Sequence, residues 1–167
     1  KDSGYHTIHC GKAHFGANDT PGEDPLKMGF EVNIAGHAAG SPASYYGKEN
    51  FGNKPDGKSP LAAVPGLEKY HGTDTFLSEA LTLEAEKALD NAQKSDKPFF
   101  LYMAHYAVHT PIQPDQRFYQ KYLDKGLPPV EAAYATLIEG MDKSLGDLMD
   151  YLKENNLEDN TVILFMS

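Results

Sequence analysis

Apolar positions gather in three short runs, separated by two long stretches in which they recur with a helical period. The runs are Tyr5–Cys10, Pro98–Tyr106 ("PFFLYMAHY") and Thr161–Met166. Continuous apolar runs of this length, rich in aromatic and β-branched residues, predict strands of the kind buried on both faces inside α/β sheets. The first periodic stretch, 75–94, places Phe76, Leu77, Ala80, Leu81, Leu83, Ala85 and Ala88 on one side, with Thr73 or Asp74 as its cap. The second, Pro129–Asn155, aligns Ala133, Leu137, Met141, Leu145, Leu148 and Leu152. Strand, helix, strand, helix, strand predicts an α/β fold: a mostly parallel sheet with flanking helices and right-handed crossovers.

The stretch Ala17–Gly72 keeps no period and is rich in glycine and proline. It reads as a long loop insertion, and loops of that length in compact domains tend to carry function. His37, Tyr45 and Tyr46 within it form a mixture suited to stacking on and hydrogen bonding to sugars, which marks them as candidate substrate contacts.

Ligands of open α/β sheets bind beyond the carboxyl ends of the strands. The first strand runs out at Gly11 and delivers Lys12 and His14, two positions apart and so on one side of an extended segment. The second runs into "AVHTPIQP", where Pro111 biases Thr110 towards an extended conformation and presents His109 at the same rim. A lysine with two histidines suits an anion, with an imidazole free to move a proton near neutral pH. A zinc site is the competing reading of the histidines, but the spacing does not suit a helix-borne pair and no thiolate cluster accompanies it. His6, His9, His37, His71 and His105 read mostly as structural or surface residues, and Cys10 as a buried strand residue.

Composition narrows the field. The chain has 167 residues, 40% of them hydrophobic, enough for one domain with a sizeable core. A net charge of −9 argues against a nucleic-acid partner, because phosphate contacts need a cationic surface. No apolar run approaches the roughly 18–20 residues needed to cross a bilayer. A single cysteine removes any internal disulfide framework. The first residues, "KDSGYHT", and the last, "NTVILFMS", read as those of an internal piece of a longer protein.

These motifs resemble a known family. "GYHTIHCGKAHFG" is similar to the Gly-Lys-x-His-x-Gly segment of the type I sulfatases, the arylsulfatase-like branch of the alkaline phosphatase superfamily. "PFFLYMAHYAVHTPIQP" resembles that family's strand and His-Thr-Pro turn, "MGFEVNIAGHAAGSPASYY" its following segment in bacterial members, and residues 134–167 the helix and strand leading to an Asp-Asn-Gly metal motif. The resemblance runs in the right order along nearly the whole chain. It implies an alkaline-phosphatase-like fold and makes 1–167 part of a single sulfatase catalytic domain, with 17–72 its substrate-contacting insertion.

The resemblance further implies a sulfuric-ester hydrolase that uses formylglycine and Ca2+, is periplasmic or secreted, and acts on a sulfated carbohydrate or an aryl sulfate ester. By motif, Lys12 would bridge formylglycine and sulfate. His14 would contact formylglycine and help the sulfated hemiacetal collapse, and His109 would bind sulfate and protonate the leaving oxygen. The family's Cys/Ser-x-Pro-Ser-Arg motif and its paired aspartates do not occur here, and "SPASY" at 41–45 lacks the arginine and falls on the wrong side of Lys-x-His. The chain by itself is therefore expected to bind no metal or cofactor and to be inactive, and it leaves oligomeric state open. The rival readings are a phosphodiesterase or phosphonate hydrolase of the same superfamily, and a non-catalytic glycan-binding relative.

Overall fold

The computed structural model describes residues 3–166. At its centre is a parallel sheet of β1 (His6–Gly11), β2 (Val32–Ile34) and β3 (Phe99–Ala104), in the spatial order β2-β1-β3. β1 is thus the central strand, paired residue for residue with β3 from His6↔Phe99 to Gly11↔Ala104. That position explains why Ile8, His9 and Cys10 are fully buried. The Cys10 thiol points to the Leu81 carbonyl at 3.4 Å, and burial pushes its pKa up, as suits a structural cysteine.

Three helices follow: α1 (Leu77–Ala92), α2 (Gln116–Asp124) and α3 (Pro129–Glu154). α1 lays Leu77, Leu81, Ala85 and Leu89 on the sheet face that carries Ile8 and Cys10. Each such leucine contributes about 2 kcal/mol by leaving water. α3 crosses α1 where side chains are small. Thr82 Oγ1 donates to Ser144 Oγ at 2.6 Å, and a Cβ on Gly140 would come within 2.9 Å of Ser78 Oγ. The expected stripe of α3 is real, but at the crossing Gly140 and Ser144 replace bulk with close approach, leaving Met141 and Leu145 half-buried.

Several sequence expectations are corrected. Thr73 and Asp74 do not cap α1. Phe76 is its N-cap, in extended conformation, and pairs with Tyr46 in an isolated antiparallel bridge. That tertiary pairing holds the backbone extended past the local cap residues, and the Glu79 carboxylate takes the Phe76 N–H at 3.4 Å. α2 was not foreseen. It is started by Asp115, almost fully buried, which accepts from Arg117 N–H at 3.1 Å and from its guanidinium at 2.6 Å.

Thr161–Met166 is not a strand: among the described residues it has no ladder partner, and Val162 and Leu164 are 84% and 83% exposed. Apolar β-prone sequence becomes a strand only where a neighbour supplies the hydrogen bonds. Nor is the sheet buried on both faces. Phe100 and Tyr102 of β3 are 50% and 43% exposed, because α1 covers one face only. The other face carries an aromatic cluster in which the His9 ring lies 5.5 Å from Phe15, 5.3 Å from Phe30 and 5.7 Å from Tyr102.

The stretch 17–72 is not a featureless loop. It contains β2 and short 3-10 turns at Pro21–Glu23, Pro25–Met28, Gly47–Gly52 and Glu68–Tyr70, and it buries Phe51, Val64 and Leu67 completely. β2 escaped notice because three residues cannot display a period.

Candidate functional site

Three segments leave the sheet at its carboxyl edge, one after each strand, and they interlock. The first depends on Gly11. Its φ is +102°, and a Cβ there would stand 1.9 Å from the Ala104 carbonyl oxygen, so only glycine lets β1 run this close to the end of β3. The same carbonyl accepts the Lys12 N–H at 2.7 Å. The Lys12 carbonyl faces His9 Nε2 at 3.2 Å, while His9 Nδ1 faces Asn33 Oδ1 at 3.2 Å. Lys12 is therefore tied at both backbone groups, leaving its half-buried side chain as the free part. Both ring nitrogens of His9 meet acceptors, but burial outweighs those bonds and holds its pKa below the usual value.

His14 does not continue an extended segment, which corrects the expectation that it shares a side with Lys12 by simple alternation. Its φ is +54°, in the left-handed region, and its N–H donates to the His37 carbonyl at 3.1 Å. Its exposed ring lies so close to Gly40 that a Cβ there would be 2.6 Å from Nδ1. The link from β1 to β2 thus runs through backbone and not through side-chain periodicity.

The segments after β2 and β3 meet through Tyr106, which is buried with its pKa pushed up by that burial. Its hydroxyl donates to Ala35 O at 2.8 Å, which leaves its lone pair to accept from His37 Nδ1–H at 2.9 Å. Three residues on, His109 N–H donates to Tyr106 O at 2.9 Å. The turn holds cis peptide bonds at Ala107–Val108 and Thr110–Pro111. The exposed His109 ring turns Nδ1 towards Thr110 O at 3.1 Å and Thr110 Oγ1 at 3.2 Å. That contact occupies Nδ1 and leaves Nε2 as the ring's other nitrogen. His105, at the exit of β3, is held down to about 4 by burial, and its Nδ1 is buried without a hydrogen-bond partner among the described residues.

The proposed sugar contacts fare unevenly. Tyr45 is corrected outright: it is 1% exposed, its ring is stacked on Phe76 at 5.4 Å, and it cannot stack on a ligand. Tyr46 meets Phe76 edge-on at 5.7 Å and donates its hydroxyl to Pro114 O at 2.9 Å, while His37 is engaged by Tyr106 as described. Sequence reasoning missed Asn33, Tyr106 and Gln113, which fasten the rim together with His9, a residue it reads as structural or surface. His9 alone was findable, since it alternates with Ile8 and Cys10 along β1 and had to face the other way.

Among the described residues no group of three or more His, Cys, Asp or Glu side chains converges as a metal site. Glu84, Glu86, Asp142, Asp147 and Asp150 lie on α1 and α3, not at the rim. Burial pushes the Glu84 carboxyl up, but hydrogen bonds from Lys69, Tyr70 and Lys87 prevail and hold it below the usual range. The only cysteine is buried in β1, which does not suit a nucleophile made from it.

Comparison with known proteins gives one answer. The family model named Sulfatase matches residues 1–167. The chain is 34% identical over 146 residues to the uncharacterized sulfatase YdeN of Escherichia coli, covering 86% of this chain and 23% of that protein. It is 27% identical to a sulfatase of Formosa agariphila over all of this chain and 37% of that one. A similar solved structure is that of Ps i-CgsB, also solved in complex with k-i-k-neocarrahexaose: the TM-score is 0.73 at 28% identity, covering 96% of this chain and 36% of that one. The chain therefore spans between about a quarter and two-fifths of the length of these relatives.

Proposed function

Because this chain belongs to the sulfatase family, we propose that its parent protein hydrolyses sulfate esters and that residues 1–167 supply the sulfate-contacting and proton-transferring side of the site. The observation that carries the reading is the family match over the whole chain together with the lattice of hydrogen bonds that fastens the Lys12 and His109 segments to the carboxyl edge of one sheet. The nucleophile and the metal ion, which would polarise the sulfate, belong on this reading to the rest of the parent.

Each residue has a role its chemistry suits. Lys12 is a fixed cation for the non-bridging sulfate oxygens, where charge spreads in the transition state. On this reading His14, two positions on in the same segment, would exchange a proton with the nucleophile supplied by the rest of the parent. As the bond between sulfur and the bridging oxygen breaks, its electron pair goes to that oxygen, and His109 Nε2 gives it a proton, so that the alcohol and not the alkoxide departs. Overall, sulfate ester and water become alcohol, sulfate and one proton, and that proton restores the acid form of His109.

The substrate class we infer is a sulfated carbohydrate. The neocarrahexaose complex of Ps i-CgsB and the N-acetylgalactosamine-6-sulfatases, to which the chain is 25–26% identical, support it. On that substrate reading we place the parent in the periplasm or outside the cell, where sulfated polysaccharide is met.

Kinetics of the full-length parent test the assignment. His109→Ala should lower kcat about 10²- to 10⁴-fold on a monosaccharide sulfate, whose leaving group needs a proton, and far less on 4-nitrophenyl sulfate. Lys12→Ala should harm both alike. Equal losses on both esters for His109→Ala would refute its role as the acid, and a preference for 4-nitrophenyl sulfate over every sulfated sugar would refute the substrate class.

A further inference from the structure

The turn that carries His109 has little of its own to hold it. Within residues 105–112 the backbone supplies a single bond, His109 N–H to Tyr106 O. At its start Tyr106 Oη is tied to Ala35 O, and the rest of the side-chain restraint comes from residues 44–49, more than sixty positions earlier. Tyr45 Oη donates to His109 O at 2.8 Å, and Tyr45 N–H donates to Gln113 Oε1 at 2.7 Å. Ser44 Oγ reaches the same Oε1 at 3.3 Å, Gln113 Nε2 donates to Glu49 at 3.2 Å, and Tyr46 Oη donates to Pro114 O at 2.9 Å. The two segments are laced from His109 to Pro114.

We propose that Tyr45 is a positioning residue for His109, with Gln113 as its brace, and that through them the 17–72 insertion sets the aim of the proton donor. The inference rests on the role assigned to His109 above. Tyr45 is built for the task. Its ring is locked by stacking on Phe76 at the head of α1, and its carbonyl accepts the Leu77 N–H at 2.9 Å. Its phenol is buried, which pushes its pKa up and keeps it a donor, and the His109 carbonyl is its hydrogen-bond partner. That carbonyl adjoins the Cα from which the imidazole projects, while Nδ1 is held one residue further on by Thr110. Fixing both sides of the residue leaves Nε2 with one direction.

The test is Tyr45→Phe in the full-length parent, which keeps the ring and its stacking and removes only the oxygen. The expected result is a loss of about tenfold or more in kcat on a monosaccharide sulfate, with KM within about twofold and 4-nitrophenyl sulfate nearly unaffected, since small misplacement of a catalytic group is costly only where that group is needed. In a His109→Ala background the same change should add almost nothing. Gln113→Ala, outside the core, should give the same pattern in milder form and serves if Tyr45→Phe fails to fold. Equal losses on both esters, or losses that multiply with those of His109→Ala, would overturn the positioning role while leaving His109 as the acid. If His109→Ala itself shows no dependence on the leaving group, the acid assignment falls and this inference with it.

Discussion

Replacing Gly11 with alanine should loosen the very junction that presents Lys12. An added Cβ would sit 1.9 Å from the Ala104 carbonyl oxygen, so β3 must retreat by about 1.4 Å to restore the roughly 3.3 Å of an ordinary carbon–oxygen contact. That movement breaks the 2.7 Å bond from Lys12 N–H to the same oxygen. Losing the bond and stranding its partners costs about 1–3 kcal/mol. Holding alanine at φ +102° adds about 1–2 kcal/mol. The total of about 2–5 kcal/mol should lower the urea midpoint by about 1–2.5 M at an m-value near 2 kcal/mol/M. Far-UV circular dichroism through a urea series measures it. Gly57→Ala is the control: φ there is +74°, but nothing lies within 4 Å of the added carbon, so it carries the backbone cost alone. If both variants unfold at the same urea concentration, the close approach of β1 to Ala104 does not constrain the chain and the reasoning fails.

Two further outcomes follow from titration and ligation. His105 is held down to about 4 in the folded chain against 6.5 ordinarily, so on acidification the unfolded chain takes up that proton first. Stability fully present above pH 6.5 should fall towards pH 4 by up to about 1.4 kcal/mol per pH unit, and His105→Asn should flatten the slope; an unchanged slope would shift the effect to His9 and His37, which burial also holds low. Calcium titrated calorimetrically into residues 1–167 should give no saturable heat below about millimolar, since such sites need six or more converging oxygens; a micromolar site would show that the ligand set has been misjudged.

The sequence alone determined the elements whose signal is long or chemically singular. α1 and α3 lie within two residues of their expected ends, because an amphipathic period over 16 or 26 residues averages out local noise. β1 and β3, their parallel pairing, the burial of Cys10 and the family were legible for the same reason: they rest on strong runs or on motifs that read in order. Only the tertiary structure decided what depends on a neighbour. β2 is a strand because β1 runs beside it, and Thr161–Met166 is none because no strand among the described residues runs beside it. Tyr45 is core and not sugar platform because Phe76 and His109 close over it from 31 and 64 positions away. His14 turns left-handed to meet His37, and Gly11 must be glycine because the Ala104 carbonyl stands against it. Hydrogen bonds and van der Waals contacts reach only a few ångströms, while the partners that make them are far apart along the chain, so a local pattern names the residues of a site but not what holds them in place.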